Sequence, residues 1–85
     1  MYAIEFSKDA LKALKGMPRN TALLIREKLD GVARDPYVPN NNVKALEGRM
    51  GYRLRVGDWR VIYDLNDSLR ILSVQRVAPR GGAYS

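Results

Sequence analysis

The segment YRLRVGDWRVIY, residues 52–63, decides the fold because it predicts a β-hairpin. Apolar and basic side chains alternate on both sides of Gly57-Asp58, and a two-residue turn that contains glycine is a common hairpin connection. Pairing across this turn places Arg55 opposite Arg60, with Arg53 on the same face. A shift of one residue would bury the arginines, so the apolar alternation determines the register.

The two faces of the predicted hairpin differ in chemistry. The arginines share their face with Ile62, and like charges directly opposite each other on neighbouring strands destabilise the pair. A local cost without a structural gain is typical of functional sites. The arginines therefore predict an anion-binding surface. The alternative is a solvent-exposed charged face that binds no ligand. The other face is apolar and is expected in the core: Tyr52, Leu54, Val56, Trp59, Val61 and Tyr63.

The residues around the hairpin complete a single α+β domain, residues 1–85. Ser7 is placed to cap a first helix, and Asp35-Pro36 ends a second helix that begins near Pro18. We expect a helical hairpin packed on one face of a largely antiparallel sheet of about four strands. The expected elements are a strand at 2–6, helices at 8–16 and 18–34, and strands at 52–56, 59–65 and 69–77.

The composition excludes several kinds of site. The 85 residues contain no cysteine and no histidine, which rules out disulfides, zinc sites built from thiolate and imidazole, and nucleophilic triads that use histidine. We expect no metal and no other cofactor. No apolar run has the length of a signal peptide or a membrane span, so we expect a cytoplasmic protein without a membrane partner.

The charge predicts an anionic partner, either nucleic acid or an acidic protein, because the net charge is +6. From Arg49 onward every basic residue is arginine, and the planar guanidinium group suits phosphate. Arginine stabilises charge on phosphoryl oxygens, but a pKa above about 12 makes it a poor base at neutral pH. The phenol of Tyr84 is a candidate partner in proton transfer. The residues alone predict nucleic-acid binding and leave catalysis open.

The stretches ALEGRMGYRLRVGDWRVIY (45–63) and VAPRGGAY (77–84) resemble the RelE/ParE toxin family of bacterial type II toxin–antitoxin systems. The resemblance covers nearly the whole chain in element order. The RelE branch consists of mRNA interferases, and the resemblance implies a ribosome-dependent endoribonuclease that inhibits translation and arrests growth. In this family pattern Arg53 and Arg55 would hold the message and Arg60 and Arg80 would bind the scissile phosphate. Tyr84 would stack on a base or orient the 2′-OH.

The resemblance also implies partners and leaves alternatives. Expected partners are the ribosome with mRNA, a cognate antitoxin of acidic or amphipathic character, and operator DNA bound by the toxin–antitoxin complex. Arg76, Lys8 and Lys12 are further candidates for RNA or phosphate binding, although a lysine stripe on a helix is usually a solvated face. A ParE-like inhibitor of DNA gyrase is one alternative function. A non-catalytic homologue that serves antitoxin binding and operon autoregulation is another.

Overall fold

The chain folds into two helices packed on one face of a mixed five-stranded sheet, in a computed structural model that describes residues 1–80. The sheet has the order β1-β5-β4-β3-β2, in which β1 runs parallel to β5 and the other neighbours are antiparallel. The elements are β1 (Ala3–Phe6), α1 (Lys8–Gly16), α2 (Arg19–Arg34), β2 (Val43–Ala45), β3 (Tyr52–Val56), β4 (Trp59–Asn66) and β5 (Ile71–Pro79).

The α+β prediction is confirmed, and the sheet has one more strand than the four expected. The additional strand, β2, has three residues, too few for an alternating pattern to stand out from the sequence. It pairs with β3, with Val43 opposite Leu54 and Lys44 opposite Arg53. This pairing extends the sheet beyond the hairpin and adds a basic residue beside Arg53.

The two helices begin and end close to the predicted positions. The hydroxyl of Ser7 accepts a hydrogen bond of 3.0 Å from the backbone N–H of Ala10 and donates one of 2.7 Å to the carbonyl of Gln75. Ser7 therefore caps α1 and ties its start to β5. Pro18 lies just before α2 rather than in its first turn. The helices bury Ala10, Leu14, Ile25, Leu29, Val32 and Ala33.

The β3–β4 hairpin has the predicted register, with Val56 opposite Trp59 and Arg55 opposite Arg60. Gly57 adopts φ +58° at the first central position of the turn, as a type II′ turn requires. The apolar face of the hairpin packs under the helices as expected. Its buried members are Leu54, Val56, Val61 and Tyr63, and Tyr52 and Trp59 pack against them in partly buried positions.

A β-bulge interrupts the pairing of β4 with β5. Ile62 lies opposite Arg76, but the next pair joins Tyr63 to Val74, so Gln75 is an extra residue in β5. The amide of Gln75 donates a hydrogen bond to the carboxylate of Asp64. The bulge thus keeps Arg76 on the side of the sheet that faces away from the helices.

A carboxylate with two phenol donors joins three separate parts of the chain. The Tyr37 hydroxyl lies 2.8 and 2.7 Å from the two carboxylate oxygens of Asp67, and the Tyr2 hydroxyl lies 2.7 Å from one of them. These hydrogen bonds, first from Tyr37 and then from Tyr2, hold the pKa of Asp67 below its ordinary value. The cluster connects the start of β1, the loop after α2 and the β4–β5 turn. Within residues 1–80, neither helix has the length and apolarity needed to cross a membrane.

Candidate anion-binding site

Basic residues from four strands meet on the face of the sheet opposite the helices. Two rows run across the strands: Lys44, Arg53, Ile62 and Arg76 form one, and Arg55, Arg60 and Ala78 form the next. Paired residues on neighbouring strands share a face, so the register brings the predicted arginines together. We call this surface the arginine face and define it by Lys44, Arg53, Arg55, Arg60, Ile62 and Arg76.

The arginine face is less open than the sequence predicts, because Arg60 is buried, with 9% of its surface exposed. Arg60 lies on β4, the central strand, and has neighbouring strands on both sides. Its guanidinium Nη1 lies 3.4 Å from the carbonyl oxygen of Gly57 and 3.3 Å from that of Trp59, both at the long end of the hydrogen-bond range. Burial of a charged side chain is costly, and the fold holds this one in place.

The other hairpin arginines are more accessible. Arg55, directly opposite Arg60, is exposed, and Arg53 is half-buried. Arg76 is exposed on β5. The face therefore combines a fixed internal cation with a rim of accessible ones, an arrangement suited to several phosphate oxygens at once.

Arg80 is brought to the same end of the sheet by the backbone. Its N–H donates a hydrogen bond of 2.7 Å to the carbonyl of Asp58 in the hairpin turn, and Pro79 lies opposite Trp59 in the preceding pair. The sequence places Arg80 some twenty positions from the hairpin, and the pairing of β5 with β4 closes that separation. The structure thus joins Arg80 to the turn that follows Arg55.

A small apolar cluster lies in the middle of the arginine face. Ile62 and Ala78 are buried, and Leu46 packs against them. Long arginine side chains cover apolar surface with their methylene groups while the charged ends stay polar. The apolar centre of the arginine face is therefore covered, and the cations around it would accept a negatively charged ligand.

A groove opens beside Arg53, between β3 and the segment that follows β2. It has a volume of about 550 Å³ and is lined by Lys44, Ala45, Leu46, Glu47, Arg49, Arg53 and Ile62. The sequence predictions included Arg53 but missed the groove. The missed signal is the glycine pair around Arg49, since Gly48 and Gly51 both have positive φ and turn the chain back toward the sheet.

Gly51 holds the wall of this groove close to β4. Its φ is +118°, and a Cβ atom there would lie 2.6 Å from a carboxylate oxygen of Asp64. The same Cβ would lie 3.2 Å from both Leu46 Cδ1 and the Tyr63 carbonyl. A side chain at this position would displace the backbone, so glycine sets the distance between the groove wall and the sheet.

Three sequence-predicted residues lie elsewhere or outside the described part. Lys8 and Lys12 are exposed on α1, and the helices cover the opposite face of the sheet, so these lysines do not join the arginines. The prediction for Tyr84 lies outside residues 1–80. Within the described residues, no cluster of three acidic side chains could hold a metal ion.

Comparisons with known proteins agree on one family. The sequence profile of the family described as "ParE toxin of type II toxin-antitoxin system, parDE" matches residues 4–84. The chain is 30% identical over 85 residues to a putative toxin RelE1 of Methanocaldococcus jannaschii, covering 98% of this chain and 94% of the relative.

Solved structures of similar fold support the same relationship. The archaeal RelE–RelB complex from Pyrococcus horikoshii superposes with a TM-score of 0.81 at 33% identity, covering 94% of this chain and 96% of the matched chain. The isolated RelE toxin of Escherichia coli has a TM-score of 0.80 at 22% identity, with coverage of 94% and 85%. At that lower identity the similarity shows the fold.

Proposed function

The chain belongs to the RelE/ParE family of type II toxin–antitoxin toxins, and from this we propose that it is a ribosome-dependent endoribonuclease that cleaves mRNA and inhibits translation in the cytoplasm. The observation that carries the proposal is the position of Arg60, a buried cation on the central strand beside exposed Arg55. A relative named as a RelE toxin, and a RelE structure at 33% identity, favour the RelE branch.

The proposed reaction is an internal transfer at one phosphate of the message. The 2′-oxygen of a ribose forms a bond to phosphorus, the bond from phosphorus to the 5′-oxygen breaks, and the proton of the 2′-OH is lost as the 5′-oxygen gains one. Negative charge builds on the non-bridging oxygens during this step. Cations that are already held in position lower the energy of this transition state more than mobile cations do. Arg60 is suited to that role because its surroundings already hold it in position.

The remaining arginines have distinct proposed roles. Arg80 is joined to the turn through the Asp58 carbonyl. It would bind the same scissile phosphate as Arg60, from the opposite side of that phosphate. Arg53 and Arg55 lie two residues apart on β3, about 6.8 Å for same-face positions, and would bind neighbouring phosphates. Tyr84 would orient the 2′-OH or stack on a base, and Arg76 would extend the binding surface.

Induced expression in a bacterial host tests this function. Growth should stop, and primer-extension mapping should show transcripts cut within codons. Arg60→Ala and Arg80→Ala should abolish the cuts, whereas Arg19→Ala, which removes an exposed arginine at the start of α2, should leave them. Growth arrest with intact transcripts would exclude the endoribonuclease, and absence of toxicity would favour a non-catalytic homologue.

A second candidate function is inhibition of DNA gyrase. The family profile that matches this chain is that of ParE toxins, which favours this alternative directly. It predicts trapped gyrase–DNA complexes and a DNA-damage response while translation continues at first. Purified protein should then block supercoiling by gyrase, and Arg60→Ala should matter little, because phosphoryl chemistry is not involved.

A cognate antitoxin is the proposed protein partner. Similar structures include RelE–RelB and RelBE2 toxin–antitoxin complexes, and the net charge of +6 favours an acidic or amphipathic segment. Together the two proteins would bind operator DNA. Co-expression with the neighbouring reading frame should relieve toxicity and yield a complex whose affinity falls as salt rises.

A further inference from the structure

The groove beside Arg53 is lined by one acidic residue, whose negative charge is unfavourable in a phosphate site. Three of its lining residues are basic, namely Lys44, Arg49 and Arg53, and Leu46 and Ile62 are apolar. Among these described lining residues Glu47 is the one acid. Its side chain is exposed, and within residues 1–80 it makes no hydrogen bond or ion pair. The carboxylate is therefore available to a ligand.

The position of the groove fits the nucleotide next to the scissile phosphate. Arg53 lines the groove, and Arg55 lies in the adjoining row with Arg60. Diagonal neighbours on adjacent strands, such as Arg60 and Arg53, are about 7–8 Å apart, similar to the separation of neighbouring phosphates along an extended RNA strand. A phosphate held at Arg60 thus places the neighbouring phosphate at Arg53 and Lys44, at the mouth of the groove.

The chemistry of the groove distinguishes the parts of that nucleotide. A volume of about 550 Å³ is within the range of small-molecule sites. Lys44 and Arg53 suit the phosphate, and the partly exposed apolar side chain of Leu46 suits the flat surface of a base. Glu47 repels phosphate and only accepts hydrogen bonds when ionised, so the part of the ligand that reaches it must donate them.

We propose that the groove binds the base adjacent to the scissile phosphate and that Glu47 selects guanine there. This inference rests on the proposed endoribonuclease function. Guanine presents the ring N1–H and the 2-amino group side by side, and the two carboxylate oxygens accept both. Uracil flanks its single N–H with two carbonyl oxygens that repel a carboxylate. Adenine and cytosine present an amino group next to an unprotonated ring nitrogen, so each offers one donor on that edge.

Binding of short RNAs to the full chain tests the selection. The probes are fluorescein-labelled uridine hexanucleotides with a single central G, A, C or U, carrying 2′-O-methyl groups that prevent cleavage, measured by anisotropy at low salt. The wild-type chain should bind the G-containing RNA about tenfold more tightly than the all-uridine RNA, as expected for a two-bond contact between a side chain and a base. Glu47→Ala should reduce that ratio to about one.

A matched variant controls for the loss of charge. Glu27→Ala removes an exposed carboxylate from α2 and should keep the guanine preference. Equal affinity of the wild type for all four RNAs, with weaker binding by Arg53→Ala, would overturn the guanine inference and keep the RNA-binding face. A preference that survives in Glu47→Ala would also overturn it. RNA binding that is absent, or unaffected by Arg53→Ala, would overturn the inference, whereas the proposed function is tested separately by the transcript mapping of Arg60→Ala and Arg80→Ala.

Discussion

Arg55 and Arg60 lie directly opposite each other across the β3–β4 hairpin, one exposed and the other buried. Like charges in this relationship oppose folding, and no local feature of the hairpin requires them. The pair is readily explained if a ligand with negative charge completes it. Stability and activity should therefore respond in opposite directions to changes at these two positions.

Replacement of Arg55 should stabilise the fold and weaken function. Arg55→Thr removes the repulsion and introduces a residue with high β-propensity, so the free energy of unfolding should rise by about 0.2–1 kcal/mol. Urea denaturation measures this change, and transcript mapping should show less cleavage. Arg55→Lys keeps the like-charge pair and should leave the free energy of unfolding nearly unchanged. Equal stabilisation by both variants would show that repulsion is not the cause.

Replacement of Arg60, like that of Arg55, should raise stability and reduce cleavage, and both changes should be larger. Arg60→Met keeps much of the side-chain volume and removes a buried charge, so we expect a gain of roughly 1 kcal/mol in the free energy of unfolding. The same variant should lose RNA cleavage completely, since the apolar side chain cannot bind a phosphoryl oxygen. A destabilised Arg60→Met protein would mean that the guanidinium contributes more to the fold than its burial costs.

Two glycines should respond in opposite ways to the same substitution. Gly51→Ala combines a φ of +118° with an approach of 2.6 Å to Asp64, so we expect a loss of about 1–3 kcal/mol. Gly31→Ala lies inside α2, where a Cβ meets no atom within 4 Å, and should add about 0.5–1 kcal/mol. Thermal and urea unfolding of both variants provide the comparison. Tolerance of alanine at Gly51 would contradict the close approach.

The hydroxyl of Tyr63 is buried, and within the described residues it has no hydrogen-bond partner. Burial, and next the nearby Tyr52, raise the pKa of Tyr63 to about 12. The folded state therefore binds its proton more tightly than the unfolded state. This contribution to stability is fully present below pH 10 and should be lost as the pH rises from about 10 to 12.

Tyr63→Phe removes this hydroxyl and its desolvation cost. We expect the free energy of unfolding at neutral pH to stay the same or rise by up to about 1 kcal/mol. The decrease in stability between pH 10 and 12 should become smaller, measured by urea unfolding across that range. The ring of Tyr52, stacked on Tyr63 at a centroid distance of 5.5 Å, is left unchanged in this variant. A clear destabilisation by Tyr63→Phe would imply a buried partner.

Asp67 should make the fold sensitive to acid. Hydrogen bonds from Tyr37 and Tyr2 lower the pKa of Asp67 from its ordinary 3.8, so the unfolded state takes up the proton first as the pH falls. The contribution is present above about pH 4 and is lost below it. Thermal unfolding between pH 2 and 6 should show a shallower pH dependence for Asp67→Asn. An Asp67→Asn protein that keeps the wild-type slope would contradict the stabilising hydrogen bonds to this carboxylate.

Local patterns predicted much of this structure. The cap at Ser7, the end of α2 before Pro36, and the register that joins Arg55 to Arg60 each depend on neighbouring residues, and each was confirmed. The hairpin alternation was sufficient because a one-residue shift reverses both faces. The arginines of the candidate site therefore came together as expected.

Features that depend on distant residues were not predicted. The burial of Arg60 follows from β5 on its far side, and β2 becomes a strand because β3 pairs with it. The groove with Glu47 exists because Gly51 brings the chain close to Asp64. The cluster of Tyr2, Tyr37 and Asp67 joins segments that share no local pattern. None of these contacts leaves a signal in a short window of sequence.

The parallel pairing of β1 with β5 has a consequence for how the protein is made. Ala3 lies opposite Ile71, and the N–H groups of Ala3 and Ser7 donate to carbonyls of Arg70 and Val74. The first strand therefore finds its partner only after residues 71–74 have left the ribosomal exit tunnel. Such long-range pairing slows folding, so a growing chain cannot complete its sheet, or align Arg80 with the hairpin, before β5 has emerged.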